Sequence, residues 1–251
     1  MKPILKTDRL CKSFVSGGVE QQILKSLDVA VYDGDFTVIM GASGSGKSTL
    51  LYCLSGMDGL SGGSVFFGDA DLAALSQDRL AEFRSKNCGF VFQQIYLVDS
   101  LTVLDNVLAS GLLGNKDKKA VLERAKGILG AVGIGEEHYK KFPAQLSGGM
   151  AQRVGVARAA VTNPKILFAD EPTGALNSQN SRMVLDILTE LNNQGQSIVM
   201  VTHDPKSARR ANRILYLRDG EIHAELKLDK YKPDDQVRKE RVKEFLAQQG
   251  W

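Results

Sequence analysis

No stretch of this 251-residue sequence approaches the ~18–20 consecutive apolar residues of a membrane-spanning helix, and the N-terminus, MKPILKTDRL, lacks the long apolar segment of a secretory signal. Cysteine is scarce. Cys11, Cys53 and Cys88 are odd in number, widely spaced and outside any Cys-x-x-Cys or Cys/His cluster, which argues against a disulfide framework, structural zinc and dithiol redox chemistry. Buried, reduced thiols are the expectation. The three histidines, His138, His203 and His223, are too scattered to form a ligand set. An excess of one charge is missing too: 32 Lys and Arg against 29 Asp and Glu leave +3, too weak a field to imply nucleic acid. Internal repeats and low-complexity segments are also absent. What remains is a globular composition, 43% hydrophobic and 24% charged, that excludes disorder and collagen-like structure. The expectation is a soluble, cytoplasmic chain of one domain or two small lobes.

Hydrophobic patterning divides the chain into thirds. In the first, Val29 to Tyr32 and Phe36 to Met40 flank Asp33-Gly34, a hairpin signal because both turn residues tolerate positive φ. Ser48 to Leu54 has helical composition, and Ser64 to Phe67 and Gly89 to Phe92 read as strands. In the middle, Val121, Leu122, Ala125, Ile128, Leu129 and Val132 fall on one helical face. A second helix follows Ser147, with Met150, Val154, Ala157 and Val161 on one side. The last third alternates: strand at Ile166 to Ala169, helix at Ser178 to Leu191 with Met183, Val184, Ile187, Leu188 and Leu191 inward, strand at Ser197 to Val201, helix at Pro205 to Ala211, strand at Ile214 to Leu217 closed by Asp219-Gly220. Strands alternating with helices predict a parallel sheet covered on both faces. From Ala224 the tail carries seven basic and six acidic residues, and Asp234 or Asp235 is placed to cap a terminal helix reaching Gln249.

The chemistry starts at Gly41-Ala42-Ser43-Gly44-Ser45-Gly46-Lys47-Ser48, which fits G-x-x-x-x-G-K-[ST] between an apolar strand and a helix-forming run. Glycines let such a loop curl so that its N–H groups face phosphate oxygens at a helix N-terminus. Lys47 would then pair the β- and γ-phosphates, and Ser48 would ligate Mg²⁺. A second strand, Ile166 to Ala169, delivers Asp170 at its end as a further magnesium ligand, and Glu171 beside it as general base for the attacking water.

Between these lies Leu146-Ser147-Gly148-Gly149-Met150, and here the sequence resembles the ATP-binding cassette (ABC) ATPases, whose signature reads LSGGQ. The resemblance spans roughly residues 3 to 223, with the family's motifs in order. It implies ATP and Mg²⁺ as ligands, with Phe14 stacking on adenine and Gly41, Ser43, Gly44, Ser45, Gly46, Lys47, Ser48 and Thr49 holding the nucleotide. It makes Gln93 the Q-loop residue that senses magnesium and water, joining Ser48 and Asp170 as metal ligands. Asn177 becomes the D-loop residue, and His203 the switch histidine that works with Glu171 and Gln93 in catalysis. Ser147, Gly148 and Gly149 would close in trans on ATP held by a second copy, in a head-to-tail homodimer. The implied fold class is α/β: a P-loop NTPase core with a mixed, mainly parallel sheet, an N-terminal antiparallel β subdomain and a helical subdomain insertion. Residues 3–223 would form the ATPase domain, with the helical subdomain at about 94–163 and a C-terminal extension at 224–251.

Two positions depart from the family pattern. Met150 replaces the usual signature Gln, and Asn177 replaces the usual D-loop Asp. The stretches Phe90 to Gln94, Leu101 to Val107 and Asp170 to Leu176 look like the MacB/LolD group, and Gly174-Ala175-Leu176-Asn177 with the C-terminal extension looks most like the bacitracin-export (BceA-type) ATPases. The resemblance implies an ATPase subunit at the cytoplasmic face of the membrane, bound to a separate, FtsX-like permease. It would power export or removal of a peptide, antimicrobial or lipoprotein-like substrate, with no nucleic-acid partner. A mechanotransmission or sensing complex without net transport uses the same motifs and is the alternative. Translation ABC proteins carry two cassettes, and repair members carry long coiled coils; neither occurs here.

Overall fold

The computed structural model describes residues 2–251. The chain forms two compact units, one from residues 2–80 and 195–251, the other from 81–194. Among the described residues no helix is long and apolar enough to cross a membrane.

The first unit opens with β1 (Pro3–Ser16), β2 (Val19–Leu27), β3 (Ala30–Tyr32), β4 (Phe36–Met40), α1 (Lys47–Leu54), β5 (Gly62–Phe67) and β6 (Ala70–Asp71). Its first sheet is antiparallel: β1 pairs with β2, β3 and β5, and β5 pairs with β6. Leu5 and Thr7 take the inward positions at the start of β1; an irregularity at Arg9, whose φ is 45°, shifts the phase by one, so that Leu10 and Lys12 face inward beyond it. α2 (Gln77–Asn87) carries the chain into the second unit.

The second unit contains β7 (Cys88–Phe92), α3 (Val103–Gly114), α4 (Lys118–Ala131), α5 (Gly148–Ala160), β8 (Ile166–Asp170) and α6 (Ser178–Asn193). β7 and β8 run parallel. Val103 and Val107 of α3, Ala125 and Leu129 of α4, and Val154 and Ala157 of α5 converge in one buried cluster, with Met150 packed against its edge. Truncating one of its large aliphatic members to Ala would cost about 2–5 kcal/mol.

The chain returns to the first unit with β9 (Ser197–Val201), α7 (Pro205–Ala208), β10 (Arg213–Arg218), β11 (Glu221–Lys227) and α8 (Gln236–Gln248). Here β11, β10, β4 and β9 lie side by side, with β10–β4 and β4–β9 parallel and β10–β11 antiparallel. Every residue of β4 and β9 is buried, as parallel strands covered on both faces require. Arg238 docks α8 by donating from Nη1 to the carbonyls of Ala211 (2.6 Å) and Arg209 (2.9 Å). The fold class is the one expected: mixed α/β, with antiparallel and parallel sheets and helices between the strands.

Several local expectations are corrected. Asp33-Gly34 does not close a hairpin: β3 pairs with β1, and β4 pairs with β9 and β10, so the turn passes the chain from one sheet to another. Ser197 fastens it, accepting from Gly34 N at 2.9 Å and donating to Asp33 Oδ1 at 3.2 Å. The true hairpin turn is Asp219-Gly220, with φ of 52° and 79°, between β10 and β11. β11 continues through Lys227, so Ala224 lies inside a strand, and His223 sits mid-strand beside Arg218. Met183 is exposed, because α6 turns Val184, Leu185, Leu188, Thr189 and Asn192 inward. His138 is half-buried, with Nδ1 2.8 Å from Glu137 Oε1. Of the thiols, Cys53 and Cys88 are buried and Cys11 half-buried; burial pushes both buried thiols up to about 12, so neither serves as a nucleophile at neutral pH.

Candidate nucleotide-binding site

The first unit carries the phosphate loop. β4 and β9 pair in parallel with Ile39 opposite Val201. Gly41 therefore leaves the sheet beside the segment that carries His203, at the carboxyl edge where α/β sheets bind ligands. The loop enters α1 through Gly46, the N-cap, whose φ of 98° suits glycine. A Cβ there would also stand 3.0 Å from Leu24 Cδ2 and 3.1 Å from Ile23 Cγ2 of β2. No side chain caps α1, and its first turn holds no acidic residue. The positive end of the helix dipole thus faces the loop uncompensated. Lys47 is buried, and its Nζ donates to Ala42 O across the loop at 2.8 Å. Ser45 Oγ is buried and, among the described residues, has no hydrogen-bond partner; it is a donor that an anion in the loop would satisfy. Ser43 and Gly44 are exposed, while Ser48 and Thr49 are half-buried at the start of the helix.

Phe14 projects from β1, 46% exposed, opposite Gln21 of β2. Two residues earlier Lys12 pairs across the strands with Leu24, the residue that packs against Gly46, so this hairpin borders the phosphate loop. His203 is exposed just past β9, and Asp204 beside it caps α7 through Lys206 N and Ser207 N, each at 3.0 Å.

The second unit gathers the remaining expected residues. Phe92 at the end of β7 lies opposite Asp170 at the end of β8, so Gln93 and Glu171 are the next residues off adjacent parallel strands. They converge on the D-loop: a Cβ on Gly174 would stand 2.9 Å from Gln93 Nε2 and 3.4 Å from Glu171 Oε2. Glu171 has φ of 43°, a left-handed backbone that costs a non-glycine residue of order 1 kcal/mol or more and recurs at functional positions. Ser147 caps α5, its Oγ accepting from Met150 N at 3.3 Å. Asn177 caps α6, its Oδ1 accepting from Asn180 N at 2.9 Å. The two helix starts touch: a Cβ on Gly149 would stand 2.3 Å from Asn180 Cγ, so a larger residue there would have to displace the Asn180 side chain. Met150 is half-buried and packs against the edge of the helical cluster, an apolar role.

Some residues of this neighbourhood escaped sequence reasoning. Gln152 Nε2 donates to Phe92 O at 3.0 Å, and Arg158 Nη2 donates to Ile95 O at 2.6 Å, so α5 holds both ends of the Q-loop. Nothing local marks these two; their partners are backbone carbonyls about sixty residues away. Lys12 carried a readable signal, since residues two apart on a strand share a face, and it lies two before Phe14. Among the described residues no group of three or more His, Cys, Asp or Glu side chains could hold a metal ion. The oxygens of Ser48, Asp170 and Gln93 are nevertheless hard donors, of the kind that suit Mg²⁺ when it is bound mainly by phosphate and water.

The family model described as ABC transporter matches residues 24–174. The bacitracin export ATP-binding protein BceA of Halalkalibacterium halodurans is 40% identical over 248 residues, 98% of this chain and 96% of that protein. The macrolide export ATP-binding/permease protein MacB of Escherichia coli is 42% identical over 226 residues, 90% of this chain. The chain spans only 35% of MacB's length. Among solved structures, the dimeric ATP-binding cassette MJ0796, in a post-hydrolysis state with ADP and Pi, superposes with a TM-score of 0.83 at 37% identity, covering 90% of this chain and all of that one.

Proposed function

The chain belongs to the ABC transporter family as an ATP-binding cassette, and from that premise we propose that it hydrolyses ATP as a homodimer to drive a separate membrane permease. A BceA-like export or removal of antimicrobial peptides fits best, because that relative matches this chain almost end to end, C-terminal extension included. An FtsX-like permease and a peripheral position at the cytoplasmic face go with this reading. The boundaries proposed are an ATPase domain at 3–223, with a helical subdomain at about 94–163, and an extension beyond it.

In this reading Phe14 stacks on adenine, and Gly41, Ser43, Gly44, Ser45, Gly46, Lys47, Ser48 and Thr49 hold the triphosphate. Lys47 exchanges its contact with Ala42 O for phosphate oxygens, and Ser45 Oγ gains the partner it lacks. Ser48, Asp170 and Gln93 would hold Mg²⁺, which when bound neutralises charge on the phosphate oxygens. Ser147, Gly148 and Gly149 of the second copy donate to the γ-phosphate. Glu171 accepts a proton as water attacks phosphorus, the bond to the bridging oxygen breaks and ADP leaves; His203 stabilises the charge that develops. Asn177 lies in the D-loop that faces the second copy.

The observation that carries the hydrolytic reading is the placement of Glu171, in a left-handed backbone at the end of β8, with its carboxylate and Gln93 both reaching Gly174. Glu171→Gln should lower kcat by about 100-fold or more and hold an ATP-bound dimer by size-exclusion chromatography. Purified from membranes in gentle detergent with ATP, the same variant should bring down a permease. A wild-type rate removes Glu171 as base, and consistent recovery with ribosomes rejects the transport reading.

A further inference from the structure

We propose that Lys12 is a positioning residue for the nucleotide base: it anchors Phe14 by one face and strengthens the stacking of a purine on the other. The inference rests on the reading of Phe14 as the adenine platform and goes beyond it, because Lys12 would never touch the ligand.

Lys12 occupies an inward position of β1 that the strand's alternation would give to an apolar residue, and it is only 8% exposed. Its ammonium has three N–H donors. One donates to Asp58 Oδ1 at 2.7 Å and another to Gly59 O at 2.7 Å. The third is left toward the Phe14 ring, whose centroid lies 4.7 Å from Nζ. The carboxylate and the carbonyl fix the cation in place; the ring then sits on a fixed point. An ion pair with Asp58 would by itself explain a buried lysine, but not why an exposed phenylalanine lies flat over it.

Two consequences follow for a ligand. A phenylalanine at the end of an exposed hairpin would otherwise sample several rotamers, and ordering it on binding opposes affinity. With one face resting on the ammonium, the free face is presented in advance. The cation also draws electron density from the ring toward the buried side, so the outer face becomes a better partner for an electron-rich purine. A second lysine–aromatic pair in the same sheet provides the contrast. Lys6 Nζ lies 5.2 Å from the Phe66 ring, but Lys6 is exposed, and among the described residues no carboxylate pairs with it.

The test separates base from phosphate. Lys12→Met should raise KM for ATP about threefold to tenfold, the range of a single cation–π contact, with kcat within about twofold. Its inhibition constant for inorganic tripolyphosphate, which has no base, should stay at the wild-type value. Lys12→Arg, which keeps a cation under the ring, should recover most of the affinity. Lys12→Gln, which keeps a donor for Gly59 but not the charge, should behave as Lys12→Met and serves if that variant does not fold. In a Phe14→Ala background Lys12→Met should add nothing, and Lys6→Met should leave KM unchanged. An unchanged KM in Lys12→Met and Lys12→Gln, an equal loss for ATP and tripolyphosphate, or an additive loss without Phe14 would overturn the proposal. If Phe14→Ala alone costs no ATP affinity, the stacking reading itself fails, and that outcome is distinct.

Discussion

Two helix N-termini carry the glycine-rich motifs, and they are finished differently. α1 begins at Gly46 with no side-chain cap, whereas α5 begins at Ser147, whose hydroxyl already accepts from Met150 N. The side-chain cap is the rule in this chain: Thr102, Asp117, Asn177, Asp204 and Asp235 cap α3, α4, α6, α7 and α8. Glycine is itself an acceptable N-cap, so a start at Gly46 costs only about a few tenths of a kcal/mol relative to a side-chain cap. α1 accepts that cost beside a buried lysine and an unpartnered buried hydroxyl, both of which a phosphate would engage. On the proposed reading the phosphates of ATP complete its N-terminus, whereas α5 is capped by its own Ser147 and would offer its remaining N–H groups to the nucleotide of the second copy.

The comparison is most exposed to Lys47→Ala. Losing the one buried cation of the phosphate loop should weaken ATP binding by about 100-fold or more, measured by calorimetry, and abolish the rise in Tm that ATP produces. Unchanged affinity would end the claim that the ligand completes α1.

Ser147→Ala probes the other terminus and should give the opposite pattern. It removes the cap, so the protein without nucleotide should lose about 1 kcal/mol, or about 2–4 °C in Tm. ATP affinity of the single cassette should stay within about twofold, while steady-state hydrolysis, which needs closure on the second copy, should fall about tenfold or more. A loss of single-cassette affinity comparable with that of Lys47→Ala would erase the distinction between the two helices.

Why this contrast was only half legible in the sequence is a matter of distance along the chain. The phosphate loop, Asp170-Glu171 and Ser147-Gly148-Gly149 are local words, and their helix and strand contexts emerged where composition placed them. Strand pairing is not local. Val29 to Tyr32 and Phe36 to Met40 looked like hairpin partners because they are neighbours in sequence, yet β3 pairs with a strand more than twenty residues back and β4 with strands about 160 residues ahead. The inward face of α6 was displaced because Thr189 and Asn192 face in, where a count of apolar residues does not look. α3 is hard to read for a related reason: its buried positions include Asn106 and Gly111, which a count of apolar residues passes over. The missing cap of α1 needs backbone geometry to be seen, since glycine also serves as an ordinary N-cap.

The smallest effect concerns Asn177, and it tests whether capping alone accounts for that position. Asn and Asp are equally good N-caps, so Asn177→Asp should keep the bond from Asn180 N that now measures 2.9 Å. A carboxylate at the start of α6 would also meet the positive end of the helix dipole, worth about 0.3–1 kcal/mol at an exposed site. The variant should thus be as stable as the parent or slightly more so, gaining at most about 2–4 °C in Tm, whereas Asn177→Ala should lose about 1 kcal/mol. Since Asn177 is exposed and close to the start of α5, the added charge would be felt chiefly by whatever faces the D-loop in the dimer. If Asn177→Asp preserves stability and leaves kcat within about twofold, the amide is there as a cap. If stability holds but kcat changes more than that, the neutral side chain tunes communication between the two copies, and the capping account of α6 is insufficient.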